Sequence, residues 1–204
     1  MDFLILGFIT GLSLILAIGA QNIFVIEQGL KKQYVFIVCL ICSISDLLLI
    51  FLGIFLFEYF NFFFNDTVEL IFNILLFVFL IYFIINKLRA KYDNLNLSLE
   101  SDKHSLINIV LRTLGFTYLN PHVYSDTVFF LGNFSKNFLI SQKYYFGIGA
   151  SIASFLFFFS IGYLAKFFSS YLNNSKDWKI INLFIIIFMS ALACYVLFDI
   201  ISLI

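Results

Sequence analysis

The residues of this chain that could do chemistry are few, and they fall in apolar surroundings. Asp46 lies in Cys42-Ser-Ile-Ser-Asp-Leu-Leu-Leu-Ile50, twelve residues into a hydrophobic stretch. At 1.5 Å per residue it falls about 18 Å along a helix, near the middle of a bilayer. A carboxylate at that depth is costly, commonly faces a cavity or a partner, and is a functional-site hypothesis by default. Burial opposes its charge, so it is also a candidate proton carrier. The competing reading is a buried acid bonded to a neighbouring helix.

A second group surrounds the only proline, in Phe116-Thr-Tyr-Leu-Asn-Pro-His-Val-Tyr-Ser-Asp-Thr127. Pro121 removes one backbone donor and pushes Asn120 out of the helical region. His122, Tyr124 and Asp126 follow within the same apolar stretch. A broken helix with polar groups at membrane depth usually lines a cavity, although neighbouring helices can also absorb such a break as a packing kink. Asp126 is either a second carboxylate for a substrate or a brace within the break. His122 could shuttle protons, or hold the break structurally. A third group, Gly19-Ala-Gln-Asn22, interrupts the first apolar stretch. Gln21 and Asn22 offer donors and acceptors suited either to a zwitterionic backbone or to carbonyls at a kink. Gly19 and Pro121 are the candidate conformational hinges.

Other chemistries fit less well. Cys39-Leu-Ile-Cys42 has redox or metal-pair spacing, but only Cys194 remains as a further thiol. Two small apolar residues on one helix face explain it better. There is no His-x-x-x-His and no nucleophile with an evident base, so enzyme chemistry, a metal and a cofactor are not expected. Glu27, four residues before Lys31, reads as a surface ion pair. Asp199, near the end of the last apolar stretch, is expected to reach water.

The elements that must position these groups are membrane helices. The 204 residues are 62% hydrophobic and only 12% charged, with mean hydropathy +1.03, well beyond a soluble domain. Lys+Arg and Asp+Glu balance at 12 each, giving no argument for nucleic acid. The 30 phenylalanines are read as lipid-facing hydrophobes. The first stretch lacks a basic n-region and runs past signal-peptide length, so it is read as a span.

Spans of about 20 apolar residues are expected at 3–27, 34–57, 67–88, 106–132, 144–167 and 180–203. The fold class is therefore an all-α polytopic membrane protein of six transmembrane helices. The polar linker 89–105 divides one transporter domain, 1–204, into halves 1–88 and 106–204. Loops after the first, third and fifth spans, with their edges, hold Lys31, Lys32, Lys87, Arg89, Lys91, Lys103, Arg112, Lys166, Lys176 and Lys179. The other side holds Lys136 and Lys143. This asymmetry puts the former in the cytoplasm and both termini outside it. Trp178, Tyr34, Tyr59, Tyr92, Tyr144 and Tyr171 fall near span ends, as an interfacial belt would.

Three helices per half is odd, so two similar halves would insert with opposite topology, as inverted repeats. Thr117-Tyr-Leu-Asn120 would then be the counterpart of Gly19-Ala-Gln-Asn22. Gly7-x-x-x-Gly11, Gly147-x-x-x-Ser151 and Ala150-x-x-x-Ser154 form small-residue stripes for close helix packing, read as packing and not as a site.

Taken together, Gly11-Leu-Ser-Leu-Ile-Leu-Ala-Ile-Gly-Ala-Gln-Asn22, Glu27-Gln-Gly29, Ser45-Asp46 and Phe116 to Thr127 resemble the LysE family of lysine and arginine exporters along the whole chain. The resemblance implies efflux of basic amino acids across the bacterial inner membrane, the expected partners being the amino acid, protons and the bilayer. It also implies that Asp46 and the Asn120-Pro121 region matter for transport. Homo-oligomerisation stays open. The residues fit this expectation: Asp46, with or without Asp126, can face a cationic side chain, while Gln21, Asn22 and backbone N–H groups freed at a broken helix can face the amino acid's zwitterionic end, and Asn120 and Tyr124 are further candidates for binding substrate or proton. Export of neutral amino acids or of a divalent cation is the related alternative, and a membrane-embedded redox or enzyme subunit the unrelated one.

Overall fold

A computed structural model describes residues 2–16, 19–63, 66–89, 105–171 and 175–202, and every regular element among them is helical. In chain order these are α1 (Asp2–Ile15), α2 (Ala20–Leu30), α3 (Val35–Phe63), α4 (Asp66–Arg89), α5 (Leu106–Tyr118) and α6 (Pro121–Tyr124). A π-helical stretch, Ser125–Phe130, then leads into α7 (Leu131–Ser135), α8 (Ile140–Phe168), a 3-10 turn (Ser169–Tyr171) and α9 (Ser175–Ser202). Residues 90–104 of the expected linker, with Lys91, Tyr92 and Lys103, lie outside the described residues. So do the side chains of Tyr59, Lys87, Arg89, Tyr171, Lys176 and Trp178.

Both polar interruptions become helix breaks. The first expected span divides into α1 and α2, whose axes differ by 83°. The fourth divides at Asn120 into α5 and the shorter segments that follow. Among the described residues, three helical stretches are long and apolar enough to cross a membrane alone: Val35–Phe57, Ile140–Phe168 and Lys179–Ser202. The bent α1–α2 pair makes a fourth if counted as one span. Leu70–Asn86 and α5 are shorter apolar helices. Length and hydropathy thus count three or four spans, and the expected six requires α4 and the broken α5–α7 segment to cross as well.

Packing follows a pairwise plan. The α1 and α2 helices lie along α8, while α5, the π-helical stretch and α7 lie along α3; α3 packs on α8, and α4 on α9. Small residues set these distances, as a Cβ would need room that a neighbouring backbone already fills. A Cβ on Gly7 would meet the Phe146 carbonyl oxygen at 2.0 Å, and one on Gly149 the Leu4 carbonyl oxygen at 2.0 Å. Two further crossings are glycine against glycine. A Cβ on Gly29 in α2 would lie 2.5 Å from the Gly162 oxygen in α8, and one on Gly132 in α7 would lie 2.7 Å from the Gly53 oxygen in α3.

The polarity of the molecule is inverted relative to a protein in water. Phe198 is 74% exposed and Ile140 71%, whereas Asp46 is 5% exposed. Such an apolar exterior suits lipid, and the buried polar groups need partners or a cavity. The interior holds a tight aromatic cluster in which Phe116 of α5 contacts Phe24 of α2 (ring centroids 4.9 Å) and Phe79 and Phe83 of α4 (4.8 and 5.1 Å). This cluster joins the ends of α2 and α5 that border the two breaks.

One expectation is corrected here. Glu27 does pair with Lys31, Oε1 to Nζ at 2.7 Å, but the carboxylate side chain is only 3% exposed. The i,i+4 spacing is the same on a solvated or an enclosed helix face, and α2 is enclosed by α8, α3 and α5. The carboxylate is therefore interior, and the Lys31 side chain, 20% exposed, reaches it from the edge of the bundle.

Candidate functional site

The two breaks meet. A Cβ added at Gly19, between α1 and α2, would have Asn120 Nδ2 as its nearest neighbour at 4.0 Å. Around this meeting point lies a cavity of about 370 Å³, lined by Gly19, Gln21 and Asn22 from the first break, Asp46 from α3, and Asn120, His122 and Asp126 from the second. Residues more than a hundred positions apart in sequence are thus brought to one space. Leu76 and Leu80 of α4, and Leu192, Tyr195 and Val196 of α9, close much of the remaining wall with apolar surface.

Local sequence explains each break. Gly19 is the N-cap of α2, with φ −111° and ψ −178° and no side chain to cap the helix. Its backbone is extended, a conformation open to any residue. What the glycine contributes is space in front of the helix end. Asn22 Nδ2 donates back to the Ile15 carbonyl at 3.2 Å, tying α2 to the end of α1. At the second break Asn120 is the N-cap of α6 and Pro121 occupies its first turn, where the missing N–H costs nothing. Asn120 Oδ1 accepts from the His122 N–H at 3.1 Å, and the Val123 N–H donates to the Asn120 carbonyl at 3.2 Å. Asp126 then falls in the π-helical stretch, a wider turn often found at functional sites.

Asp46 is buried on α3, and Ser154 Oγ of α8 donates to its Oδ2 at 2.7 Å. Such a bond satisfies one lone pair of the carboxyl and leaves its remaining acceptor capacity. Asp126 and Thr127 face the same cavity from the other side of the break. His122 stacks beside Tyr195 (ring centroids 5.5 Å), and its Nε2 is 3.9 Å from Asp199 Oδ2. Asp199 is therefore directed at the break histidine, with its side chain 31% exposed.

Of the sequence-predicted residues, Gln21, Asn22, Asp46, Asn120 and Asp126 all line the cavity, with Gly19 at its edge. Pro121 is buried behind it. Tyr124 is not among the lining residues: its hydroxyl donates to the Tyr118 carbonyl at 2.9 Å across the break, and its ring packs on Phe72 of α4. Several lining residues were not singled out for chemistry from the sequence. Ser154 and Ala150 had the spacing of a packing stripe, and with Gly11 they do pack helices, yet all three also face the cavity. Tyr195 is one of 11 tyrosines, and Thr127 ends the motif that carried the others. Ser154 carried no signal beyond its small polar type in an apolar helix, which a packing serine shares. The Cys39 and Cys42 thiols are buried and free, and Cys194 is exposed. Among the described residues no group of three or more His, Cys, Asp or Glu is placed to hold a metal ion.

An apolar exterior, two broken helices and an interior polar cavity define a membrane transporter class, and the comparisons with known proteins name it. Residues 12–199 match the LysE type translocator family, and the chain belongs to that family of transporters, not enzymes. It is similar to the arginine exporter protein ArgO of Pectobacterium carotovorum subsp. carotovorum (strain PC1), 33% identical over 197 residues that cover 92% of each chain. It is also similar to the arginine exporter protein ArgO of Salmonella typhimurium (strain LT2), 34% identical over 197 residues covering 92% of this chain and 89% of the relative. No solved structure matches this chain.

Proposed function

We propose that this protein is a secondary active exporter of basic amino acids, L-arginine or L-lysine, across the bacterial cytoplasmic membrane, coupled to proton entry. The observation that carries the reading is the pair of carboxylates, Asp46 and Asp126, on one cavity where two broken helices meet. A guanidinium or ammonium group needs a carboxylate partner when it leaves water. The family membership and the relatives' names support amino-acid export. Moving a cation out of a negative-inside cell costs about 2.3 kcal/mol per 100 mV, so net export needs a driving ion. In this reading Asp46 alternates between a proton and the substrate cation, Ser154 orients it, and Asp126 takes part in charge recognition. Gln21, Asn22 and Asn120 face the substrate's zwitterionic end, and Gly19 and Pro121 carry the hinge.

The same proposal includes six spans in one domain, with residues 1–88 and 106–204 as inverted repeats, the 89–105 linker in the cytoplasm and both termini outside. The two glycine–glycine crossings support it: in each half, the segment after the break crosses the middle helix of the other half. A reporter active only in the cytoplasm, fused at residue 97, would be silent if the orientation is reversed.

The test of function is efflux of labelled arginine and lysine from preloaded cells carrying wild type, Asp46→Asn or empty vector. Efflux from wild type, and a fall to the empty-vector rate in a folded Asp46→Asn, is the expected result. Efflux retained against a gradient by Asp46→Asn would remove the coupling role. Efflux of neutral amino acids or a divalent cation alone would replace the substrate class.

A further inference from the structure

The two breaks differ in what their helix ends have left to offer. At the second, the donors of the short α6 are already spent: Pro121 has no N–H, and the His122 and Val123 amides are held by Asn120. The first is different. The eleven-residue α2 begins at Ala20 with no side-chain cap. The Ile23 N–H donates to the Gly19 carbonyl, but the amides of Ala20 and Gln21 precede the first intrahelical acceptor. A second, independent observation lies at the same place. Gln21 is 6% exposed and lines the cavity, yet its buried Nε2 has no hydrogen-bond partner among the described residues. The Cys42 thiol lies beside Gln21, but thiol sulfur is a weak acceptor.

A buried amide donor without an acceptor is unfavourable unless something supplies one. Here it accompanies an uncapped helix N-terminus, whose N–H groups and dipole favour an anion. We infer that the start of α2, with the Gln21 side chain, is a carboxylate-binding subsite, and that the protein therefore selects amino acids over amines of the same side chain. The subsite is at the opposite pole of the cavity's chemistry from Asp46 and Asp126, which when ionised can only accept. It deepens the exporter reading, on which it rests for the identity of the cavity as the solute site.

Decarboxylation is the chemical change that isolates this subsite. Agmatine keeps the arginine guanidinium and lacks the carboxylate; 3-methylbutylamine bears the same relation to leucine. Purified full-length protein in lipid nanodiscs would be titrated with L-arginine, agmatine, L-leucine and 3-methylbutylamine, with the thermal midpoint as the readout. Each amino acid that binds is expected to do so at least about tenfold more tightly than its amine, as loss of hydrogen bonds to a charged group implies. Amines that stabilise as well as their amino acids, or a failure of both amino acids to stabilise, would overturn the subsite. Stabilisation by leucine but not arginine would keep the subsite and sink the basic-substrate reading.

Two variants separate the subsite from folding. Gln21→Leu should weaken arginine about tenfold or more while moving agmatine little. Gly19→Asp places a carboxylate at the N-cap, where among the described residues a Cβ has only Asn120 Nδ2 near it, at 4.0 Å. It should cap α2, hold or raise the unliganded midpoint, and suppress the arginine response. An unchanged arginine titration in a folded Gly19→Asp would count against the subsite.

Discussion

The break before α2 and the break before α6 meet at one cavity but solve the same problem differently. The second is closed upon itself. Asn120 caps the helix it begins, Pro121 removes a donor that had no acceptor, and the Tyr124 hydroxyl staples back to Tyr118. The first is held by Asn22 to Ile15, while its glycine cap leaves the end of α2 unfilled. A break that has met its own backbone hydrogen-bonding needs offers the cavity only its side chains. One whose donors lack acceptors among the described residues is where we infer a carboxylate to bind. The difference explains why two motifs of similar polarity need not have similar roles.

The largest effects should come where the halves behave alike. Gly29→Leu and Gly132→Leu each drive a side chain into the backbone of a crossing glycine, and each should cost about 3 kcal/mol or more, read as lost folded yield in mild detergent. If only one is disruptive, the crossings are not equivalent and the repeat proposal weakens. Next are the caps, where the breaks should respond with opposite signs. Asn120→Ala should lose about 1 kcal/mol, whereas Gly19→Ser should gain a few tenths by filling the open cap. Unfolding midpoints moving in the same direction would dissolve the contrast. The smallest effect is Tyr124→Phe, about 0.6 kcal/mol for one hydrogen bond within a membrane protein. It should leave efflux unchanged, and a lost arginine response would return Tyr124 to the substrate.

Much of the site was legible because hydrocarbon makes polar residues conspicuous. Asp46, Gln21, Asn22, Asn120 and Asp126 each stood out against apolar neighbours, and Pro121 announced its break. What the chain did not disclose was rotation about helix axes. An almost wholly apolar helix has no polar face to define its inside, so nothing told Ser154 facing Asp46 from a serine in a packing stripe. The same ambiguity hid the turning away of Tyr124 and the enclosure of Glu27, whose spacing to Lys31 is indifferent to surroundings. Length and hydropathy alone count three or four spans among the described residues, so six spans rest on α4 and the broken α5–α7 segment crossing as proposed.

The π-helical stretch at Ser125–Phe130 has a consequence for inheritance. A wide turn of this kind contains one residue more than an α-helix needs over the same distance. Elsewhere in this bundle, deleting a residue rotates everything beyond it by about 100° and separates paired faces. Here, losing the lipid-exposed Phe130 would let the turn relax to ordinary α geometry, with Asp126 and Gly132 keeping their facings. The segment next to the second break is thus where the length of a membrane helix can change by one codon without scrambling its packing.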